Sequence, residues 1–184
     1  MKRMVLLVLV FLVGCSGPDP CMEAALDLRT RCLGAQTVRF QARICADYID
    51  TLECFTLECT FDQGGGMAFS VQEPEDIGGI RGTVSENAGS VEFDGTVLAF
   101  PLLAEGRLSP VAAPWVLIKA IREGAILAAG YEGDMLRLTI DDSYADNALT
   151  VDVWLEDGTV EGVEIFWEGR RCVTMTLDDF SAQA

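Results

Sequence analysis

The chain has 184 residues, 50% of them hydrophobic, with 13 basic and 29 acidic residues and a net charge of −16. That length suits one domain with a sizeable core, and that charge repels nucleic acid and anionic lipid headgroups. There is no histidine, which excludes a Ser-His-Asp triad, a Cys-His pair and any His-ligated metal.

At the N-terminus, Lys2 and Arg3 precede an unbroken apolar run of ten residues, Met4 to Val13. A membrane-spanning helix needs about 20 residues, whereas the apolar core of a signal peptide has roughly 7–15. The run closes on Leu12-Val13-Gly14-Cys15, which is similar to the lipobox of bacterial lipoproteins. The resemblance implies that Cys15 is S-acylated with diacylglycerol and that the chain is cut before it. A secretory signal with a chance cysteine and a buried N-terminal helix are the competing readings. On the lipoprotein reading, residues 1–14 are the signal peptide, 15–20 a lipidated tether (Ser16-Gly17-Pro18-Asp19-Pro20 after the cysteine) and 21–184 the folded domain. Two acyl chains anchor a protein stably without a span. Loss of Lys2 and Arg3 leaves 11 basic against 29 acidic residues, a net charge of −18. The expected membrane attachment is therefore through lipid rather than basic residues. The expected location is exported and anchored to the cell membrane; Ser16 is compatible with the outer membrane in a two-membrane host.

Pro20 to Leu33 has helical spacing, with Cys21, Ala25, Leu28 and Cys32 on one face, Asp19 as cap and Gly34 as stop. From Thr37 the period changes to two. Val38, Phe40, Ala42, Ile44 and Ala46 form one inward row, and Phe55, Leu57, Cys59 and Phe61 the next. Further strands are predicted at 66–73, 79–85, 90–94 and 96–100, with turns at "EPEDIGG", "ENAG" and Asp94-Gly95. "SPVAAPWVLIKAIREG" then predicts a helix: Pro114 suits a first turn and Gly124 ends it. Trp115, Val116, Leu117, Ile118 and Ile121 make it apolar almost all round, so it should be buried. Strands resume at about 125–131, 134–141, 148–156, 160–167 and 170–177. No helix separates these late strands, so they should pair as an antiparallel meander. So many strands must curl or split. The expected fold is α+β: a strongly curved, unclosed antiparallel half-barrel of about 10–11 strands, with an N-terminal helix and an apolar helix in the concavity.

That order, on a lipobox-bearing chain, resembles the LolA/LolB/LppX-like envelope lipoproteins. The stretches that carry the resemblance are "VQEPEDIGGIRGTV" (71–84), "VEFDGTVLAFPLL" (91–103) and "LSPVAAPWVLIKAI" (108–121). The clostridial spore-germination lipoprotein, a LolA-like protein that partners a cell-wall amidase, is a second relative by analogy. The resemblance implies a half-barrel wrapped around helices. The chain departs from soluble LolA in bearing its own anchor and six further cysteines.

Those six cysteines, an even count in an exported domain, suggest disulfides. A turn between Ile49 and Asp50 would set Cys45 opposite Cys54 on the outer face. Reduced, buried thiols are the alternative for several of them; Cys59 faces inward, and Cys172 falls on the outer phase of the last strand. Asp141-Asp142 and Asp178-Asp179 are adjacent in sequence, so on a strand each pair diverges rather than converging on one substrate atom. "GGG" at 64–66 lacks the Lys-Ser/Thr of a phosphate loop and reads as a hairpin turn.

No enzyme, cofactor or metal is expected. Two binding functions compete. In one, Trp115, Val116, Ile118 and Ile121 face the sheet around an apolar ligand or acyl chain, unless they simply fill the core. In the other, the protein holds or regulates an envelope enzyme such as a peptidoglycan hydrolase, with Trp154, in outward phase with Asp152 and Glu156, as a contact.

Overall fold

The computed structural model of the chain describes residues 19–86, 88–93, 96–97 and 103–183. Cys15 with the lipobox, and the Asp94-Gly95 turn, lie outside the described residues. Helix α1 spans Pro20–Gly34. The Asp19 carboxylate accepts the Cys21 N–H at 3.0 Å, satisfying one of the donors a helix start leaves free. Ala25, Leu28 and Cys32 are its buried stripe. Six strands follow: β1 (Thr37–Asp47), β2 (Leu52–Asp62), β3 (Met67–Glu73), β4 (Arg81–Ser85), β5 (Ala88–Phe93) and β6 (Thr96–Val97). Then come helix α2 (Ala113–Glu123) and strands β7 (Ala125–Glu132), β8 (Met135–Asp141), β9 (Thr150–Glu156), β10 (Thr159–Trp167) and β11 (Arg170–Gln183).

All eleven strands join one antiparallel sheet in the order β6-β5-β4-β3-β2-β1-β11-β10-β9-β8-β7. Two meanders are joined down the middle by the first and last strands, with Ala42 opposite Leu177 and Ile44 opposite Met175. The sheet does not close; its edges are β6 and β7. These edge strands are consecutive in the chain, so the segment between them must travel from one edge to the other. Its described part, residues 103–124, includes α2 and packs against the inner face. The inward rows of both meanders, α1 and α2 form one core.

Three local expectations change. The second helix starts at Ala113 and not at 110, because a helix from 110 would need Pro114 to donate an N–H to residue 110. Residues 110–112 form a tight turn instead, and Leu103 bridges Leu108. The last strand runs to Gln183 rather than 177, passing a bulge opposite Arg39–Gln41, where Asp179 adopts φ 56°. The third is Cys172, expected on the outer face but 1% exposed. A bulge between Ile165 and Phe166 pairs Val173 and Arg171 with them and skips Cys172. Strict alternation lapses there, and the thiol is buried near Ala104.

Candidate functional site

The inner face is built around α2. Val116, Leu117, Ile118, Ala120 and Ile121 are all buried, the last four at 2% exposure or less. They meet the inward rows of the sheet, where Phe61 stacks on Phe40 with centroids 5.7 Å apart. Of the four α2 residues singled out by sequence, Val116, Ile118 and Ile121 thus belong to the core. Trp115 lies at its rim, where the indole N–H donates to the Gly65 carbonyl at 2.9 Å. This bond ties the β2–β3 turn to the start of the helix.

The polar groups of α2 are also held. Lys119 sits 5.2 Å over the Trp115 ring and 3.5 Å from the Glu86 carboxylate. Arg122 donates to the Cys32 carbonyl at 3.1 Å. From α1, Arg29 donates to the Ile121 and Gly124 carbonyls, each at 2.7 Å, capping carbonyls that the end of α2 leaves free. Gly124 is required there: a Cβ would lie 2.4 Å from the Asp141 carbonyl oxygen and 2.6 Å from that of Ala120. A cleft of about 240 Å³ opens beside α2, lined by Gly64, Gly65, Glu86, Trp115, Lys119 and Arg122 among others. Its wall mixes the charged Glu86, Lys119, Arg122 and Glu123 with Phe61, Trp115 and Ile118, unlike the mostly apolar lining of a typical ligand pocket.

The outer face carries a second constellation. Asp152 is 3% exposed although its neighbours Val151 and Val153 fill the opposite face. Its carboxylate accepts from Arg137 Nη2 at 2.6 Å and from Thr139 Oγ1 at 2.7 Å. The hydrogen bond it donates to Asp152 holds the Arg137 guanidinium above its ordinary pKa. The Arg137 guanidinium also covers the Trp154 ring at 5.4 Å. Trp154 stands opposite Gly162, so its ring is packed by an arginine and a bare backbone rather than by another aromatic. A shallow cleft of about 340 Å³ lies beside it. Sequence reading placed Trp154 and Asp152 outward but missed Arg137 as their partner. The available signal was an outward-phase arginine on the preceding strand.

The cysteines take several states. Cys45 and Cys54 are directly opposed on β1 and β2, with Cα atoms 4.1 Å apart, and form a disulfide. Burial pushes the Cys32 thiol up to about 11 and raises Cys59 further still, with Glu58 adding to the effect. Cys21, at the start of α1, lies near the Tyr131 backbone and the Asp19 carboxylate. The adjacent carboxylates have structural partners: Asp141 accepts from Thr150 Oγ1 at 2.9 Å, and Asp142 accepts from the Leu149 N–H at 2.8 Å. Among the described residues, no group of three or more Cys, Asp or Glu could hold a metal ion, and no helix is long and apolar enough to cross a membrane.

These features define a class of object: an unclosed antiparallel half-barrel whose inner face holds its own helix. Several solved structures are similar in chain path. An uncharacterized conserved protein from Thermus thermophilus matches at TM-score 0.47 and 9% identity, covering 88% of this chain and 87% of that one. A LolA superfamily protein from Nitrosomonas europaea matches at TM-score 0.47 and 9% identity, covering 89% and 94%. The Mycobacterium tuberculosis lipoprotein LppX matches at TM-score 0.40 and 13% identity, covering 86% and 92%. No protein-family model matches the chain, and no curated protein does.

Proposed function

We propose that the chain is an exported, non-catalytic binding protein of the bacterial envelope, lipid-anchored through Cys15. The lipobox and the short apolar run before it support the anchor. Of the two modes of binding, recognition of an envelope protein, such as a peptidoglycan hydrolase, is the better supported. One observation carries this: Leu117, Ile118 and Ile121 of α2 occupy the inner face side chain against side chain, which leaves the outer face and the sheet edges for a partner. Trp154, half-buried beside the 340 Å³ cleft, is the proposed contact. Crosslinking in cells from a photoreactive residue at position 154, read by mass spectrometry, is the test. One reproducible envelope protein is expected; its absence counts against this mode.

A second mode, carriage of an apolar ligand or acyl chain, takes the same inner face as its site. The α2 surface that meets the sheet is wholly apolar at Val116, Ile118 and Ile121, so an acyl chain could take its place if the helix swung out past Trp115. Native mass spectrometry after gentle extraction tests it. A bound lipid mass is expected, and a consistently empty protein retires this mode.

A further inference from the structure

We infer that the start of α1 and the open edge of β7 form the face of the molecule that lies against the bilayer, with Leu127 and Tyr131 at its headgroup boundary; this rests on the lipid-anchor reading of Cys15. Four peptide units separate Cys15 from Asp19, and a fully extended chain covers at most ~3.6 Å per residue, or about 14 Å. Asp19 is no free end: its carboxylate caps α1 through the Cys21 N–H. A lipid on Cys15 therefore enters the membrane within about 14 Å of a fixed point on the folded domain.

The surface around that point can be traced. Cys21 lies near the Tyr131 backbone, and α1 packs along β7. Met22, Leu26, Arg29 and Leu33 share one helical stripe, and Arg29 of that stripe reaches the Gly124 carbonyl just before β7. The stripe therefore flanks the β7 edge. Here large apolar side chains are exposed: Leu26 by 48%, Leu127 by 57% and Tyr131 by 70%. Tyrosine is enriched at the membrane interface, where its ring sits at headgroup level. An edge strand with exposed apolar residues is otherwise a hazard for pairing with other chains, and a bilayer held against it would cover it. Glu23 and Glu132 flank this face, so the lipid it fits is zwitterionic rather than anionic.

The test uses the full lipidated chain in vesicles of zwitterionic phosphatidylcholine, with or without bromine atoms near the headgroup end of the acyl chains. Tyr131→Trp reports on the proposed face. Ile49→Trp reports on the β1–β2 turn, which the strand order puts at the opposite end of the sheet from the β7–β8 turn; Ile49 is 77% exposed. Emission from the native tryptophans is subtracted using the unsubstituted protein. We expect brominated lipid to quench the added emission of Tyr131→Trp at least twofold and to leave that of Ile49→Trp unchanged. Leu127→Trp serves as the second reporter if Tyr131→Trp does not fold. Equal emission at both positions from a protein whose mass confirms acylated Cys15 overturns the inference alone. Shielding of position 131 from aqueous iodide without quenching by brominated lipid assigns the face to another protein chain and also overturns it. A mature protein lacking the diacylglyceryl mass overturns the inference and the anchor reading together.

Discussion

Ile118→Ala and Ile121→Ala ask directly whether α2 is a filler of the half-barrel or a wall of a vacant site. Both side chains are buried to 2% or less within the single core. Each change removes three carbons, worth about 0.8 kcal/mol apiece in transfer from water, or about 2.4 kcal/mol. The void left behind adds to this, because a packed interior relaxes only in part, and Ile→Ala changes in cores cost about 2–5 kcal/mol in total. We expect about 3 kcal/mol for each. The Arg29 bond to position 121 is made to the backbone carbonyl and is retained in Ile121→Ala, so the loss there measures side-chain packing alone. Urea unfolding followed by tryptophan fluorescence measures the effect as a lower midpoint at unchanged slope. A loss below about 1 kcal/mol at both positions would refute the reasoning, since it would mean that these side chains face space or solvent rather than neighbours.

Opening the Cys45–Cys54 disulfide, at sequence separation 9, returns loop entropy to the unfolded chain; the paired Ala variant should lose about 2–3 kcal/mol, and an unchanged urea midpoint would exclude a stabilising role. Stability should also fall between pH 9 and about 11. Cys32 is raised from 9.0 to about 11 by burial, so its contribution is complete below pH 9 and is lost as pH rises through the folded value, up to about 3 kcal/mol. A midpoint that drops no further in the parent protein than in Cys32→Ala counts against this. Trp115→Phe keeps the ring but removes the bond to Gly65. It should cost about 0.5–1.5 kcal/mol and speed hydrogen exchange at the Gly64–Gly66 turn, and unaltered exchange there would show that the bond does not hold the turn. Cys15→Ala should abolish labelling by a fatty-acid analogue and leave residues 1–14 attached; equal labelling of parent and variant would refute the lipobox assignment.

Much of this architecture is local, and local features can be read from spacing. Asp19, the stripe Ala25–Leu28–Cys32 and Gly34 delimit α1 because a cap, a 3.6-residue period and a stop signal each act within a few residues. The alternation in Val38–Ala46 and Phe55–Phe61 reads as two strands because a one-residue slip would turn every apolar side chain outward. The short link between these strands also sets their hairpin register, with Cys45 opposite Cys54. The apolar sequence of α2, set among so many strands, indicates a helix buried in the concavity of a curled sheet, but not how the strands are ordered around it.

That was decided by contacts between residues far apart in the chain. The pairing of β1 with β11 joins residues some 130 positions apart; it places the chain's first and last strands at the middle of the sheet and leaves β6 and β7 as its edges. Only then must the segment between those edges travel from one to the other, and its described part, residues 103–124, fills the half-barrel with Leu117, Ile118 and Ile121. The burial of Asp152 arises in the same way. Alternation correctly directs it outward, but its shielding comes from Arg137 and Thr139 on the neighbouring strand. Cys172 is buried because a bulge interrupts its alternation, and a bulge belongs to a pair of strands rather than to either sequence alone. Periodicity records which face of an element meets the core, whereas long-range pairing decides which other element lies there.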